Sequence, residues 1–490
     1  MVNLIKFIKE NKLLLAIFLI STLFFIIQRT TYLHWDFASY SLNAKYLFYK
    51  GTYFETLRPP LASILLGLFG IFEPLTEYIY ILFVSLLFLI SIINLSDTVF
   101  YKEFFNKKIK KENLRFVFYF FSMSYFVLLF GLREGTEMLA LGFFTLFLSF
   151  LIQNKISGHF LALAFLSRYS FLVYSPFLLA NKNYKKIIKN ILLFLIIIFP
   201  WLLFNYLKFG NWFTSIIDAY ANNILFRQEL MLPFNYSHLF FVIGIFLPFF
   251  IIGIFYSIKE IIKSKDKFSK ENIIIYLFLA ILIISLKDYA GIPLKQARYL
   301  FNLSLPVAFF STIGLFYLIK NKGILKKINV IILIIFIVTS IFSFALIIKI
   351  SPQDNKFRYV QEDIKSLGLE NCEILSPHWV LVTYYTENVY PLGENDINDA
   401  LKEGKVILIF QNNPTLDDDY TQKNLENNIL LKKDNYIFLY EENRTIENCS
   451  KKYVFDFTYV NNHCEIIASK FEKVKLDKLT LNICKWINKN

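Results

Sequence analysis

From residue 13 to residue 349 the chain returns repeatedly to apolar runs of about 17 to 25 residues, each long enough to cross a hydrocarbon core of roughly 30 Å. With 56 % hydrophobic and 19 % aromatic residues and a mean hydropathy of +0.47, a chain of 490 residues is too apolar for a water-soluble globule. It reads as a polytopic α-helical membrane protein over residues 1–349, followed by a region of ordinary soluble composition over 350–490. The first run, LLLAIFLISTLFFII, follows Lys6, Lys9 and Lys12 as a signal peptide would, but no small-residue cleavage site follows it. It is taken as a retained span.

A net charge of +14 would point to nucleic acid in a soluble protein. Here the lysines cluster at Lys6/Lys9/Lys12 and within 107–115, 181–189, 259–270 and 320–327, all between apolar runs. Placing every cluster on the cytoplasmic side accounts for the charge by the positive-inside rule, with no nucleic-acid partner. That placement fixes the expected spans at about 13–28, 76–95, 114–131, 135–152, 190–207, 236–258, 272–287, 298–319 and 328–349. PPLASILLGLFGIF (59–72) becomes an interfacial or re-entrant helix in an outer loop over 29–75. The stretch 159–180 must begin and end inside, so it is expected to be a re-entrant hairpin broken near Ser167 and Arg168, where a protein cavity tolerates irregular backbone. The N-terminus is then cytoplasmic and the C-terminal region extracytoplasmic, in a cell membrane.

All four cysteines, Cys372, Cys449, Cys464 and Cys484, lie in the C-terminal region. An even set confined to one domain suits two disulfides in an oxidising compartment, with three connectivities open; a reduced tail with incidental cysteines is the alternative. Sequons at Asn443 and Asn448 suit the same side. The region itself alternates helix-prone and strand-prone runs. NKFRYVQEDIKSLGL, WVLVTYYTE and INDALKEG read as helices and CEIL and KVILIFQN as strands, an α/β pattern without a phosphate loop or nucleophile elbow. His378, Trp379, Tyr384 and Tyr385 are either a face for a glycan or peptide, or core and turn residues.

The informative residues are ionisable groups beside apolar surroundings on the outer side, which are costly and so imply partners. Asp36 sits in YLHWDFASYSLNAKYLF, either as the N-cap of an interfacial helix or as a functional carboxylate. Arg58 precedes two prolines that stiffen the chain, and suits an anionic headgroup such as phosphate. Arg133, Glu134 and Glu137 share the turn GLREGTE, where arginine and glutamate can simply pair. Arg168 interrupts an apolar segment and should meet an anion in a wet cavity. KDYAGIPLKQARYLFNLSLP places Lys287, Asp288, Lys295 and Arg298 at the start of a span. Carboxylates with several arginines suit glycosyl transfer from a lipid phosphate, in which a base takes a proton from the acceptor hydroxyl while cations hold the departing phosphate.

WDFASYSLNAKYL, LRPPLASILLGLF, GLREGTE, ALAFLSRYSFLVYSPFLL and KQARYLFNLSLPVAF occur in the order and orientation of the polytopic lipid-phosphate-sugar glycosyltransferases of the GT-C fold. The chain resembles that family, in particular its protein O-mannosyltransferase and aminoarabinose-transferase type. The resemblance implies a GT-C-like membrane domain of about 10 to 12 helices, counting the re-entrant hairpin, with a C-terminal α/β domain outside. It implies a hexosyl or pentosyl transferase that takes a sugar from a polyprenyl phosphate, dolichyl or undecaprenyl, and passes it with inversion to a lipid, glycan or protein acceptor on the outer face. Asp36 matches the catalytic base and Glu134 a second carboxylate; Arg58 and Arg168 match donor-phosphate cations, with Arg298 and Arg133 completing the set. A divalent metal ion is admitted as cofactor but given no ligands, since Asp36 is followed by Phe37 where many relatives carry an acidic pair. A lipid or solute transporter or flippase with an exported C-terminal domain is the alternative from another class; it should show repeat symmetry between its halves.

Overall fold

The computed structural model describes residues 2–350 except 52, 101–108, 182, 226, 228–230, 268 and 320–321, and in the C-terminal region 355–410 except 387–388 and 393–396, then 428–441 except 434–435, 445–450, 456–457 and 478. Seven described helices are long and apolar enough to span a bilayer: Lys12–Thr31, Thr76–Val99, Tyr184–Phe209, Tyr236–Lys263, Lys270–Gly291, Ala297–Leu318 and Lys327–Lys349. Four shorter apolar helices, Pro60–Phe72, Glu137–Ile152, Gly158–Ser167 and Tyr169–Leu179, pack among them. The chain is a multi-pass membrane protein.

Several expected spans are interrupted, each for a local reason. The run expected as one span over 114–131 is two helices, Lys111–Ser122 and Tyr125–Phe130, because the Ser124 hydroxyl accepts from the Val127 amide at 3.3 Å and caps a new start. Tyr236–Lys263 is broken at Gly244, whose φ of +55° is open to glycine but strained for other residues. The expected break near Ser167 and Arg168 falls at Arg168, which is extended (φ −152°, ψ 120°) between the helix Gly158–Ser167 and the 3-10 helix Tyr169–Leu179. Another 3-10 turn, Ala297–Leu303, brings Arg298 into the start of its span.

Close backbone approach fixes the packing of two spans. An added Cβ on Gly253 would overlap the Phe310 carbonyl oxygen, and one on Gly314 the Phe249 carbonyl oxygen, so the helices Leu247–Lys263 and Ser304–Leu318 meet backbone to backbone. Gly253→Val should therefore lower the unfolding midpoint of the purified protein in a lipid nanodisc, at a cost of about 1–3 kcal/mol from overpacking. Gly244→Ala, whose added Cβ meets no atom within 4 Å, should act through backbone strain alone and cost less.

In the C-terminal region the strand Ile374–Ser376 pairs in parallel with Val389–Pro391 and Val406–Phe410. Tyr436–Leu439 then runs antiparallel to Val406–Phe410, and Ile429–Lys432 closes the edge. The helices Asn355–Ser366, Trp379–Thr386 and Ile397–Lys402 fall where the sequence pattern places them. A disulfide joins Cys372 to Cys449, one of the pairings open from sequence; Cys464, Cys484 and Asn443 lie outside the described residues.

This domain sits on the membrane part. Trp379 packs edge-on to Trp35 at 6.1 Å and tilted against Tyr53 at 5.2 Å. Tyr384 donates to Glu77 at 2.6 Å, and Glu77 also pairs with Arg29 at 2.7 Å. Phe54–Glu55 of the outer segment pairs in parallel with Asp456–Phe457. Two of the four aromatic candidates, Trp379 and Tyr384, are thus docking residues, while His378 packs against Phe357 and Phe410. The helix Trp35–Tyr49, expected to lie at the interface, is instead buried on all sides from Phe37 to Ala44, because the helix Pro60–Phe69 packs along it and the helix Trp379–Thr386 also covers it.

Candidate active site

The outer segment builds one wall of the site. The helix Trp35–Tyr49 is capped by His34, whose Nδ1 accepts from the Asp36 amide at 3.2 Å, so Asp36 is not the N-cap and its carboxylate is left for other partners. Lys50, in the left-handed conformation (φ 59°), turns the chain back, and Asn43 fixes the returning strand by exchanging hydrogen bonds with the Glu55 amide (2.8 Å) and carbonyl (2.9 Å). Three residues later Arg58 precedes Pro59, with Pro60 opening the next helix. The fold therefore carries Asp36 and Arg58 to one place, where Arg58 Nη1 lies 2.9 Å from Asp36 Oδ1.

Arg298, more than 260 residues on by sequence number, closes the pair from the other side, with Nη1 at 2.7 Å from Asp36 Oδ2. The same Nη1 also contacts Glu134, and Glu134 Oε1 lies 3.7 Å from His34 Nε2. Arg58 Nε donates to Glu55 Oε2 at 2.8 Å, and Tyr53 donates to that oxygen at 3.0 Å. Arg168, at the helix break, is ion-paired to the fully buried Glu137. Three guanidiniums from three distant segments are thus held in a network by carboxylates.

Asp36, Arg58, Arg168, Asp288 and Arg298 line one cavity of about 330 Å³, together with the aromatic residues Tyr40, Tyr169, Tyr220 and Tyr299 and the amides Asn223 and Asn302. Burial alone would push the Asp36 carboxyl up, but Arg58 and Arg298 outweigh it and hold the group well below the usual carboxylate range. Burial, opposed by Asp36, pushes the His34 imidazole down to about 4. Arg298 Nε has no hydrogen-bond partner among the described residues, a donor left over in a site rich in cations.

Of the residues expected at the site, the structure brings Asp36, Arg58, Arg168 and Arg298 to the cavity and keeps two away from its lining. Arg133 stacks on Tyr32, 4.8 Å from the ring centroid, and donates to its hydroxyl at 3.2 Å. Glu134 is buried behind Arg298, which it orients, and does not line the cavity. Lys295 turns back onto the carbonyls of Tyr289 (3.1 Å) and Ala290 (3.0 Å) at the end of the preceding helix. Glu55 and Tyr53 were not singled out from the sequence; the spacing of Glu55 and Arg58 in FETLR was the available signal.

A resident metal does not fit these residues. Among the described residues no group of three or more His, Cys, Asp or Glu side chains is placed to hold an ion. Asp36, Glu55, Glu134 and Glu137 are each engaged by an arginine.

No family model and no curated protein matches the chain. Its fold is similar to that of a solved structure, the crystal structure of ArnT from Cupriavidus metallidurans bound to undecaprenyl phosphate, with a TM-score of 0.56 over 87 % of this chain and 97 % of that one, at 10 % sequence identity. The fold is the ArnT-like GT-C fold that the sequence resemblance implied.

Proposed function

We propose that the chain is a membrane glycosyltransferase that takes a sugar from a polyprenyl phosphate, with the arginine-lined cavity as its donor site and Asp36 as the catalytic base. The observation that carries this reading is the bridging of Asp36 by Arg58 and Arg298 at the cavity, supported by a fold shared with a protein solved with undecaprenyl phosphate bound. Guanidiniums recognise phosphate by several parallel hydrogen bonds, and carboxylates behind them fix their direction.

A carboxylate held between two arginines is a weak base. As the donor phosphate oxygens take up N–H groups of Arg58, Arg168 and Arg298, Asp36 loses its competing cations and regains basicity in a buried place. It then accepts the proton of the acceptor hydroxyl. The acceptor oxygen forms a bond to the anomeric carbon as the bond from that carbon to the phosphate oxygen breaks, and the polyprenyl phosphate leaves with the electron pair under the arginines. Attack from the side opposite the phosphate inverts the anomeric centre. Glu134 and Glu55 act as positioning residues for Arg298 and Arg58. The disulfide and the lysine distribution support an extracytoplasmic C-terminal domain and a cytoplasmic N-terminus.

The test is transfer of radiolabelled sugar from dolichyl and undecaprenyl phosphate donors into membrane lipid, glycan and protein fractions, with the purified chain supplied in liposomes. Turnover with one donor type supports the reading; substrate movement across the bilayer without bond cleavage would support a transporter instead. Glu55→Gln keeps the shape but removes the charge behind Arg58. It should raise KM for the donor by about tenfold, roughly 1.4 kcal/mol, with a smaller change in kcat.

A further inference from the structure

We propose that Asp288 reads the transferred sugar, its carboxylate accepting a hydrogen bond from an O–H or N–H of the sugar ring on the polyprenyl phosphate. This rests on the cavity being the donor site. The starting point is an asymmetry among the carboxylates. Asp36, Glu55, Glu134 and Glu137 each have an arginine partner. Asp288, in the last turn of the helix Lys270–Gly291, lines the same cavity yet has no hydrogen bond or ion pair with any described residue. Lys295, a cation only seven positions on by sequence number, is turned to backbone carbonyls instead.

A carboxylate left unpartnered in a half-buried cavity is costly unless water or a ligand satisfies it. A phosphate is the wrong ligand for it, since like charges repel, and the arginines already provide a phosphate its place. What suits Asp288 is the neutral or cationic part of the same donor molecule, the sugar, whose hydroxyl or amino groups are hydrogen-bond donors. Asn302 and Asn223 line the cavity too and add amide acceptors and donors for a polyol. The cavity thus offers arginines to the phosphate and, in Asp288, a carboxylate to the sugar. A site built to bond a substrate donor group discriminates strongly against an analogue lacking it, because the protein acceptor is then left unpaired.

The experiment compares the full chain in lipid nanodiscs with its Asp288→Ala and Asp288→Asn variants. Affinities are measured for polyprenyl phosphate glucose, polyprenyl phosphate glucosamine and bare polyprenyl phosphate. Wild type is expected to bind the glycosylated lipids more tightly than the bare one, and Asp288→Ala to weaken them by about tenfold or more while the bare lipid changes by less than about twofold. Asp288→Asn, which keeps an amide acceptor, should fall between. A larger loss with the glucosaminyl lipid identifies an ammonium as the group read, and an equal loss a hydroxyl. Equal weakening of all three lipids, no weakening of any, or no wild-type preference for the glycosylated lipids overturns the assignment of Asp288 and leaves the donor site standing. Failure of wild type to bind any of the three overturns the donor site and this assignment together.

Discussion

Asp36→Asn leaves a folded, membrane-inserted protein whose sugar transfer falls by about 10²- to 10⁴-fold, the contribution expected of a positioned general base. The protein should fold because neither arginine is stranded: Arg58 keeps Glu55 at 2.8 Å and Arg298 keeps Glu134. Activity is lost because an amide cannot accept the acceptor proton. The pH profile adds a second readout. The folded Asp36 carboxyl lies well below its unfolded value of about 3.9, so the stability it contributes is fully present above that pH and is lost only as pH falls through the folded value. In the donor-free protein Asp36 is therefore ionised and His34, pushed down to about 4, is neutral across the usual assay range. The profile of kcat/KM, which reports the free enzyme, should show no acid limb from either group between about pH 5 and 8. The acid limb of kcat, which reports the donor complex, should lie higher, because the phosphate has by then drawn the arginines away. Coincident acid limbs would contradict the exchange of partners.

Arg298→Ala is expected to be the more damaging change, because it removes a phosphate ligand and a structural counter-ion at once. Losing a preorganised donor to the developing phosphate charge costs about 10²- to 10³-fold in rate. Glu134 is buried, and without Arg298 it is left beside the neutral His34 at 3.7 Å and the carboxyl of Glu137, with no arginine among the described residues ion-paired to it. Breaking one side of such a pair costs about 3–5 kcal/mol. The two effects separate in the double variant Arg298→Ala/Glu134→Gln, in which the stranded charge is gone. Thermal unfolding should recover most of the lost stability in the double variant, and transfer should remain as low as in the single one. Recovery of both would make Arg298 a structural residue only. Arg298→Lys should not rescue, since an ammonium cannot replace a guanidinium that reaches Asp36 and Glu134 together.

The membrane spans were legible because the length of an apolar run is a strong physical constraint, and the break at Arg168 was expected because the stretch 159–180 had to begin and end on one side. Four of the six expected site residues converge because each was conspicuous for the same reason, a charge where the membrane required none. Less legible were residues whose role depends on contact across the chain. Glu134 and Arg133 are adjacent in one turn, yet one turns to Arg298 and the other to Tyr32, a choice that no local pattern encodes. His34 took the cap position that Asp36 suggested, because an imidazole nitrogen can accept the amide just as a carboxylate can. Trp379 and Tyr384 were open between a recognition face and core or turn residues, and the docking of their helix on Trp35–Tyr49 turns them inward. Tyr53 and Glu55 carry that contact toward the site, since Tyr53 meets Trp379 at 5.2 Å and shares the Glu55 oxygen that holds Arg58.

The most direct measurement is release of free polyprenyl phosphate from a labelled polyprenyl phosphate sugar by wild type and Asp36→Asn, in liposomes supplied with native membrane acceptors. The predicted result is release by wild type matched one to one by sugar incorporated, with Asp36→Asn still binding the donor and releasing about 10²-fold less or lower. Equal release by the two proteins, or no release by wild type from any dolichyl or undecaprenyl donor, would contradict it.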